Sequence, residues 1–255
     1  MRHFGPAMFA TTTLLTGAAH NAYAADLPEP PVYYRAGAVA VPNSWTGPYV
    51  GVNIGYSSGK VSNDWTLLGF PAATERQDMN GVIGGFQSGF NWQVGAWVLG
   101  TESDFQASGQ RGTATYCIFA CAAPALLVNA SAEHRMPWLG TALSRIGFLA
   151  TESILLYGTA GIAYGQIKSS YTINAAGISV ASLSFQDTRA GWTAGAGIEA
   201  AFGAGWSAKL EYLYIDLGTL TDTVNITALG NVATWNNKVA DNVVRVGLNY
   251  RFIVR

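Results

Sequence analysis

The segment near the C-terminus constrains the fold most, because its residues alternate strictly between apolar and polar. One face is apolar and the other polar: Val244, Val246, Leu248, Tyr250 and Phe252 against Arg245, Gly247, Asn249 and Arg251. Successive side chains of a β-strand point to opposite faces, so this segment is predicted to be a two-sided strand. Its apolar face ends in aromatic residues. We therefore expect one side to face lipid and the other the lumen of a barrel.

The N-terminus has the features of a secretory signal peptide. Arg2 and His3 are basic, residues 6–19 are mostly small and apolar, and Ala24 ends an A-x-A cleavage site. The apolar stretch is shorter than the ~20 residues that a spanning helix needs. We predict a signal peptide over residues 1–24, a Pro-rich periplasmic leader over residues 25–44, and an outer-membrane β-barrel over residues 45–255.

The composition favours closed strands in a membrane. Charged residues make up only 11% of the chain, whereas about 25% is usual in soluble domains. No stretch after the signal is continuously apolar over the length of a helical span. Only helices and closed barrels satisfy their backbone hydrogen bonds in lipid. The net charge of −1 carries no basic footprint, so we expect no nucleic acid as a partner.

Eight segments share the alternation, each close to the ~9–11 residues with which a tilted strand crosses a bilayer. They are residues 49–57, 82–92, 97–105, 138–148, 156–164, 192–202, 206–214 and 243–252. Leu155 and Tyr157 fit the pattern less well. The connections alternate between tight turns, at residues 93–95, 150–152 and 203–205, and long segments, at residues 58–80, 107–133, 168–188 and 218–240. Outer-membrane barrels have this asymmetry. We predict an all-β fold, an eight-stranded antiparallel up-and-down transmembrane β-barrel with short periplasmic turns and long extracellular loops.

Aromatic residues fall at both ends of these segments, as two interfacial girdles require. The short-turn end has Trp92, Trp97, Phe148, Phe202, Trp206 and Phe252, and the long-connection end has Tyr56, Phe105, Trp138, Tyr164, Trp192 and Tyr214.

The charged residues of the segments share the polar face, because a charge facing lipid is costly. They are Glu102, Asp104, Arg145, Glu199, Lys209, Glu211, Arg245 and Arg251. This set predicts either an ion-pair network that fills the lumen or the lining of a selective pore. Since eight strands leave room for side chains and not for a wide pore, we favour the network. Within it we expect Arg145 to pair with Glu102, whose strand is its neighbour.

Other candidate sites are weak. In an oxidising compartment Cys117 and Cys121 are predicted to form one local disulfide, and without a second ligand pair they do not predict zinc.

His134, near Glu133 and Ser131, is a conceivable general base at the rim, but a solvated loop histidine is the preferred interpretation. Residues 195–200 match a dinucleotide fingerprint inside a predicted strand, where no helix follows to bind a phosphate. We expect no cofactor, no metal and no catalysis.

The chain resembles the small eight-stranded outer-membrane barrels of alphaproteobacteria, also called porin-family or outer-membrane β-barrel domain proteins. The matching segments lie between Trp45 and Phe252, at residues 45–51, 81–85, 156–165, 210–214 and 245–252. The resemblance implies an integral protein of the outer membrane, with lipid and the barrel-assembly machinery as partners and Tyr250 and Phe252 as a C-terminal assembly signal. Family members usually end at the terminal Phe, whereas this chain continues for three residues, and they often have Arg where Leu143 stands.

These observations favour a structural or surface barrel with a lumen filled by side chains. The alternatives are a narrow porin-like channel for small solutes, and an adhesion or receptor module that uses the long loops. Peptidoglycan or a periplasmic protein is the partner expected for the leader.

Overall fold

The alternating segments form one closed barrel of eight antiparallel strands, in which each strand pairs with the next and β1 pairs with β8. The computed structural model describes residues 44–67, 70–119, 128–226 and 231–252. The strands are β1 Gly47–Leu67, β2 Phe70–Val94, β3 Trp97–Phe119, β4 Val128–Thr151, β5 Ile154–Ala175, β6 Ile178–Gly203, β7 Trp206–Ile226 and β8 Asn231–Arg251. The predicted fold class is confirmed. Within the described ranges no helix is long and apolar enough to cross a membrane.

Side chains sort to the two faces of the barrel wall by the period of two. On β8 the apolar residues Val244, Val246 and Leu248 are exposed around the outside, and Arg245 and Asn249 are buried inside. The same division holds on the other strands, where the outward set includes Phe86, Trp92, Ile162 and Phe202. An apolar exterior around a polar interior is the arrangement of a barrel that spans lipid.

At one end of the barrel the strands are joined by tight hairpin turns. β2–β3, β4–β5 and β6–β7 are each joined by two residues. In the last of these turns both residues have positive φ, 51° at Ala204 and 84° at Gly205, which is the backbone that matches the twist of paired strands. These are the predicted short turns, and both described chain ends lie beside them, since the N–H of Phe252 donates to the carbonyl of Pro48.

The long connections at the other end differ from the irregular loops that the alternation predicted. The strands continue into them, so that β5 and β6 pair as far as a two-residue turn at Ala176 and Gly177, and β1 pairs with β8 as far as Leu67 and Ala233. Strands of 21 to 26 residues exceed what a bilayer requires. The sequence prediction ended each strand at the membrane boundary, although backbone pairing has no reason to stop there.

Two seams of the barrel stop pairing at this end. The β6–β7 ladder ends at Trp192 and Asp216, and the β2–β3 ladder ends at Asn80 and Arg111. Beyond these points the described strands form two four-stranded sheets, one of β7, β8, β1 and β2 and the other of β3 to β6.

Two sequence predictions fall largely outside the described residues. The signal peptide and the leader precede Ser44. Cys121 is not among the described residues, and only the backbone of Cys117 is described, as part of β3, so the disulfide stays a prediction. Residues 253–255 are likewise not described.

The barrel interior as the candidate functional site

The interior is filled in three layers between the short-turn end and the long-hairpin end. We name them the Trp45 cap, the charge layer and the apolar layer. Their order follows from position along the strands. On β5, for example, Leu155 of the cap lies beside the turn, and Ala163 and Ile167 of the apolar layer lie further up the strand.

The charge layer is organised around Arg245, which contacts three carboxylates. Its Nε donates to Glu211 Oε2 at 2.6 Å, and its Nη2 lies 2.5 Å from the same oxygen. Its Nη1 donates to Asp104 Oδ2 at 2.7 Å, and its Nη2 donates to Glu102 Oε1 at 3.1 Å. All four side chains are at most 2% exposed. A planar guanidinium with five N–H donors suits this role, because it reaches several carboxylates at once.

Lys209 joins the same carboxylates from β7. Its Nζ lies 2.6 Å from Glu102 Oε1 and 3.5 Å from Glu211 Oε2. Hydroxyl groups satisfy further oxygens, since Tyr49 donates to Glu102 at 2.8 Å and Thr141 donates to Asp104 at 2.7 Å. Buried carboxylates therefore have both charged and neutral donors, which is the condition for tolerating them away from bulk water.

Arg145 pairs with two inward carboxylates, of which Glu102 was expected to be the nearer and is the more distant. Arg145 Nη2 lies 2.7 Å from Glu199 Oε2, on β6, whereas its Nη1 lies 4.0 Å from Glu102. The guanidinium is also 4.0 Å from the centre of the Tyr157 ring, a cation–π geometry. In so narrow a barrel a long side chain crosses the lumen, so strand adjacency does not select its partner.

Seven of the eight predicted lumen charges are thus brought into one connected network, with Glu102, Asp104, Glu199 and Glu211 facing Arg145, Lys209 and Arg245. Arg251 stands apart. Among the described residues it has no carboxylate within ion-pair distance, and its guanidinium lies 5.2 Å from the centre of the Trp45 ring.

The Trp45 cap closes the short-turn end and was not predicted from the sequence. Trp45 is fully buried against Val98, Leu155 and Tyr157. Its Nε1 donates to the carbonyl of Glu152 at 3.2 Å, and its backbone N–H donates to the side chain of Gln93 at 2.8 Å. The poor fit of Leu155 and Tyr157 to the alternation was the available signal, because both large side chains point inward at this end.

Apolar side chains fill much of the lumen above the charges, where a polar interior was expected, and they form the apolar layer. Asp241 is buried within it, between Val239 and Val243 on the same face of β8, and accepts hydrogen bonds from Ser57 and Gln110. The layer consists of Val61, Met79, Ile83, Met136, Leu139, Leu143, Ala163, Ile167, Leu213, Ile215, Leu217, Val239 and Val243, all at most 4% exposed. Leu139, Leu143 and Leu213 have the same parity as the inward charges of their strands, so the sequence pattern did contain this layer. Leu143 is one of its members.

His134 lies beyond Trp138 and hence beyond the upper aromatic girdle, but it is not the solvated loop histidine that the sequence favoured. It is 1% exposed inside the extension of the barrel. Its Nδ1 is 2.9 Å from Ser169 Oγ, and its ring meets the edge of the Tyr171 ring at 5.9 Å. Burial, with a smaller contribution from the positive charge of Arg189, lowers the pKa of His134 to about 4.

We expect this histidine to make the extension acid-sensitive. The folded state disfavours the imidazolium form of His134. The neutral side chain therefore makes its full contribution to the free energy of unfolding above the unfolded pKa of 6.5, and this contribution is lost as pH falls toward about 4. By that shift the free energy of unfolding should fall by about 3 kcal/mol across the window. Unfolding of the wild type and of His134→Gln at a series of pH values measures it. An equal pH dependence of the two proteins across this window would contradict the prediction.

The predicted assembly signal lies on the outer wall. Tyr250 and Phe252 face outward, their rings meet at 5.3 Å, and the Tyr250 ring lies 5.1 Å from the Trp206 ring. Within the described residues no three His, Cys, Asp or Glu side chains are grouped so that they could hold a metal ion.

Comparison with known proteins agrees with this architecture. Residues 9–252 match the family described as "Outer membrane protein beta-barrel domain". The "31 kDa outer-membrane immunogenic protein" of Brucella melitensis biotype 1 is 38% identical over 217 residues, which are 82% of this chain and 84% of the relative. The "22 kDa outer membrane protein" of Rhizobium leguminosarum bv. viciae is 30% identical over 173 residues, which are 68% of this chain and 64% of the relative.

Among solved structures, the outer membrane protein OprG from Pseudomonas aeruginosa superposes with a TM-score of 0.48 and 15% identity, over 83% of this chain and 99% of that one. The family match spans nearly the whole chain and every described strand. The chain belongs to the outer membrane protein beta-barrel family and is a protein of the bacterial outer membrane.

Proposed function

We propose that this protein is a structural and surface-exposed barrel of the outer membrane, whose filled lumen neither conducts solutes nor catalyses a reaction. The observation that carries the proposal is the stacking of three closed layers in series. Each layer alone obstructs the lumen. To pass through the barrel, a solute would have to displace Trp45, then break ion pairs, and then pass between the packed side chains of the apolar layer, which enclose Asp241.

The apolar layer argues most directly against the narrow channel. An ion that leaves water for this mostly apolar interior loses several kcal/mol of solvation, even after the surroundings relax. The Asp241 carboxylate within it already accepts hydrogen bonds from Ser57 and Gln110. The charge layer could replace lost water ligands in a pore, but its charged groups are already engaged with one another. Arg245, for example, already forms ion pairs with Glu102, Asp104 and Glu211. Charges so engaged are better suited to holding the wall together.

Planar-bilayer recording tests the proposal. The refolded wild type should show no single-channel steps, and Arg145→Ala should also stay silent, because the cap and the apolar layer remain. Arg145→Ala should nevertheless unfold at lower urea concentration, while Ser144→Ala, outward on the same strand, should not. A steady current in the wild type, or increased current in Arg145→Ala with unchanged urea unfolding, would favour the channel.

The absence of catalysis is part of this proposal. The Nε2 of His134 is buried, as is the rest of its ring, so a substrate cannot reach it in this conformation. Its Nδ1 is engaged by Ser169, and no acidic side chain among the described residues is hydrogen-bonded to the ring to orient it as a general base.

The surface role rests on the long hairpins. They carry the chain well past the aromatic girdles, and the Brucella relative is named an immunogenic protein, a name that fits exposure at the cell surface. At the opposite end, Trp45 fixes the start of the barrel inside the periplasmic mouth. We keep peptidoglycan or a periplasmic protein as the proposed partner of the segment before it.

A further inference from the structure

The extracellular half of β6 has a free edge. Residues 178–188 pair with β5 along one side, from Ile178 opposite Ala175 to Thr188 opposite Gln166. On the other side no described strand pairs with them, because the ladder to β7 begins only at Trp192 and Asp216. A strand edge of this kind presents a row of backbone N–H and C=O groups without ladder partners.

A bulge on β7 creates this edge. The pairing of β7 with β8 shifts between Asp216 and Thr219, and Gly218 within the shift has φ of +75°. The N–H of Gly218 donates to the Asp216 carboxylate at 2.8 Å. Bulges bend the strand that contains them, and beyond this one β7 pairs with β8 alone. The opening between β6 and β7 is therefore built into the local backbone.

Nothing in the described structure covers the edge. Ile178 and Val180, which are outward by parity, are 70% and 61% exposed, and Phe185, on the inward face, is 51% exposed. An inward residue of the closed part of the barrel is buried, as Glu199 on the same strand shows. The described side chains of β6 between Ile178 and Gln186 are thus exposed on both faces of the strand, and no described strand pairs with its edge there.

The edge also lacks the usual protection against pairing. Natural edge strands carry charges, especially Lys, or prolines. Residues 178–186 contain neither, and the first charges are Asp187 and then Arg189, of opposite sign. The one register shift against β5 lies near the tip, between Ile173 and Asn174. Below it the strand is regular.

We propose that this edge binds the same edge of a second copy of the chain across two opposed outer membranes, through an antiparallel β-ladder. Identical strands can pair antiparallel about a twofold axis, with the same surface used on both sides. The lack of charge over residues 178–186 removes like-charge repulsion from such a pair. The partner strand is the same segment of the second copy, so its length and its lack of charge match those of the first.

The direction of β6 selects opposed membranes. β6 runs from the extracellular tip toward the membrane, so antiparallel partners must point in opposite directions, and the two barrels then face each other tip to tip. Two copies in one membrane would hold their β6 strands parallel. Parallel ladders need a stagger between strands, which a twofold axis along them does not supply. This inference goes beyond the filled lumen and does not depend on it.

Clustering of proteoliposomes tests the proposal. Vesicles with the hairpins outward, as protease accessibility verifies, should cluster with the wild type, and light scattering follows this. Ser184 is exposed near the middle of the edge, so a twofold pairing brings the two copies of this residue close together. Ser184→Lys vesicles and Ser184→Glu vesicles should each lose clustering, because like charges then meet. A mixture of the two should regain it.

Matched charges at Ser58 provide the control. Ser58 is also exposed, but β1 is paired on both sides there, with Asn80 and Asn242. Ser58→Lys and Ser58→Glu vesicles should cluster like the wild type. Heat-modifiable gel mobility verifies that each variant is folded. The proposal is overturned if wild-type vesicles stay dispersed, if the Ser184 variants cluster unchanged, or if their mixture gains nothing over either alone.

Discussion

Arg245→Met should destabilise the barrel by about 3–5 kcal/mol, the usual cost of removing one partner from a buried ion pair. Methionine retains much of the length of the side chain and removes its charge. Asp104 then loses the only cation with which it forms an ion pair among the described residues, whereas Glu102 and Glu211 keep Lys209. Urea unfolding of the refolded protein in detergent or lipid measures the change.

The matched control is Arg251→Met, on the same strand and the same face. Arg251 has no carboxylate within ion-pair distance in the described structure, so its removal leaves no carboxylate uncompensated, and its effect should be clearly smaller. Adding Asp104→Asn to Arg245→Met should recover part of the loss, because it removes the stranded charge, and the double-mutant cycle isolates this coupling. Equal losses in Arg245→Met and Arg251→Met would show that the network does not stabilise the barrel.

Which face each side chain occupies was predictable from the sequence, because strand parity is a local property. Once Val244 and Val246 were assigned outward, Arg245 had to lie inside. The closed topology followed from the alternation of short and long connections. The two-residue turns fit this topology, because their backbone geometry, such as the positive φ of Ala204 and Gly205, joins neighbouring antiparallel strands directly.

The contacts inside the lumen were not predictable in this way. Arg145 has Glu199 rather than Glu102 as its nearest carboxylate, since a side chain that crosses the lumen chooses among every strand. The extent of the strands was also underestimated. Bilayer thickness limits where lipid-facing residues must be apolar, but it does not limit how far β5 and β6 continue to pair.

Departures from the simple pattern were the most informative part of the sequence. Leu155 and Tyr157 broke the rule that large apolar residues face outward, and both line the socket of Trp45. Leu139 and Leu143 lie at inward positions, where a polar interior was expected, and they belong to the apolar layer. An apolar side chain on the lumen side of such a barrel therefore indicates a closed interior.

Trp45→Ala should cost about 3–5 kcal/mol, the usual range for truncating a fully buried large aromatic side chain. The change leaves a cavity beside Leu155 and Tyr157 and removes the hydrogen bond from the indole N–H to the carbonyl of Glu152. It should also open the periplasmic mouth to water without opening the lumen, because the apolar layer stays in place. Urea unfolding and planar-bilayer conductance on the same variant separate these two effects.

Two further variants distinguish the cap from an ordinary interfacial tryptophan. Trp92→Ala removes a ring of the short-turn girdle that is 63% exposed on the outer wall, and it should cost less than Trp45→Ala. Trp45→Phe keeps most of the packing and loses the indole donor, so its cost should stay near the ~1 kcal/mol of one hydrogen bond. If Trp45→Ala and Trp92→Ala were equally stable, the cap would not hold this end of the barrel closed. If Trp45→Ala alone gave a steady current, Trp45 would be the main barrier, and the apolar layer would not seal the lumen.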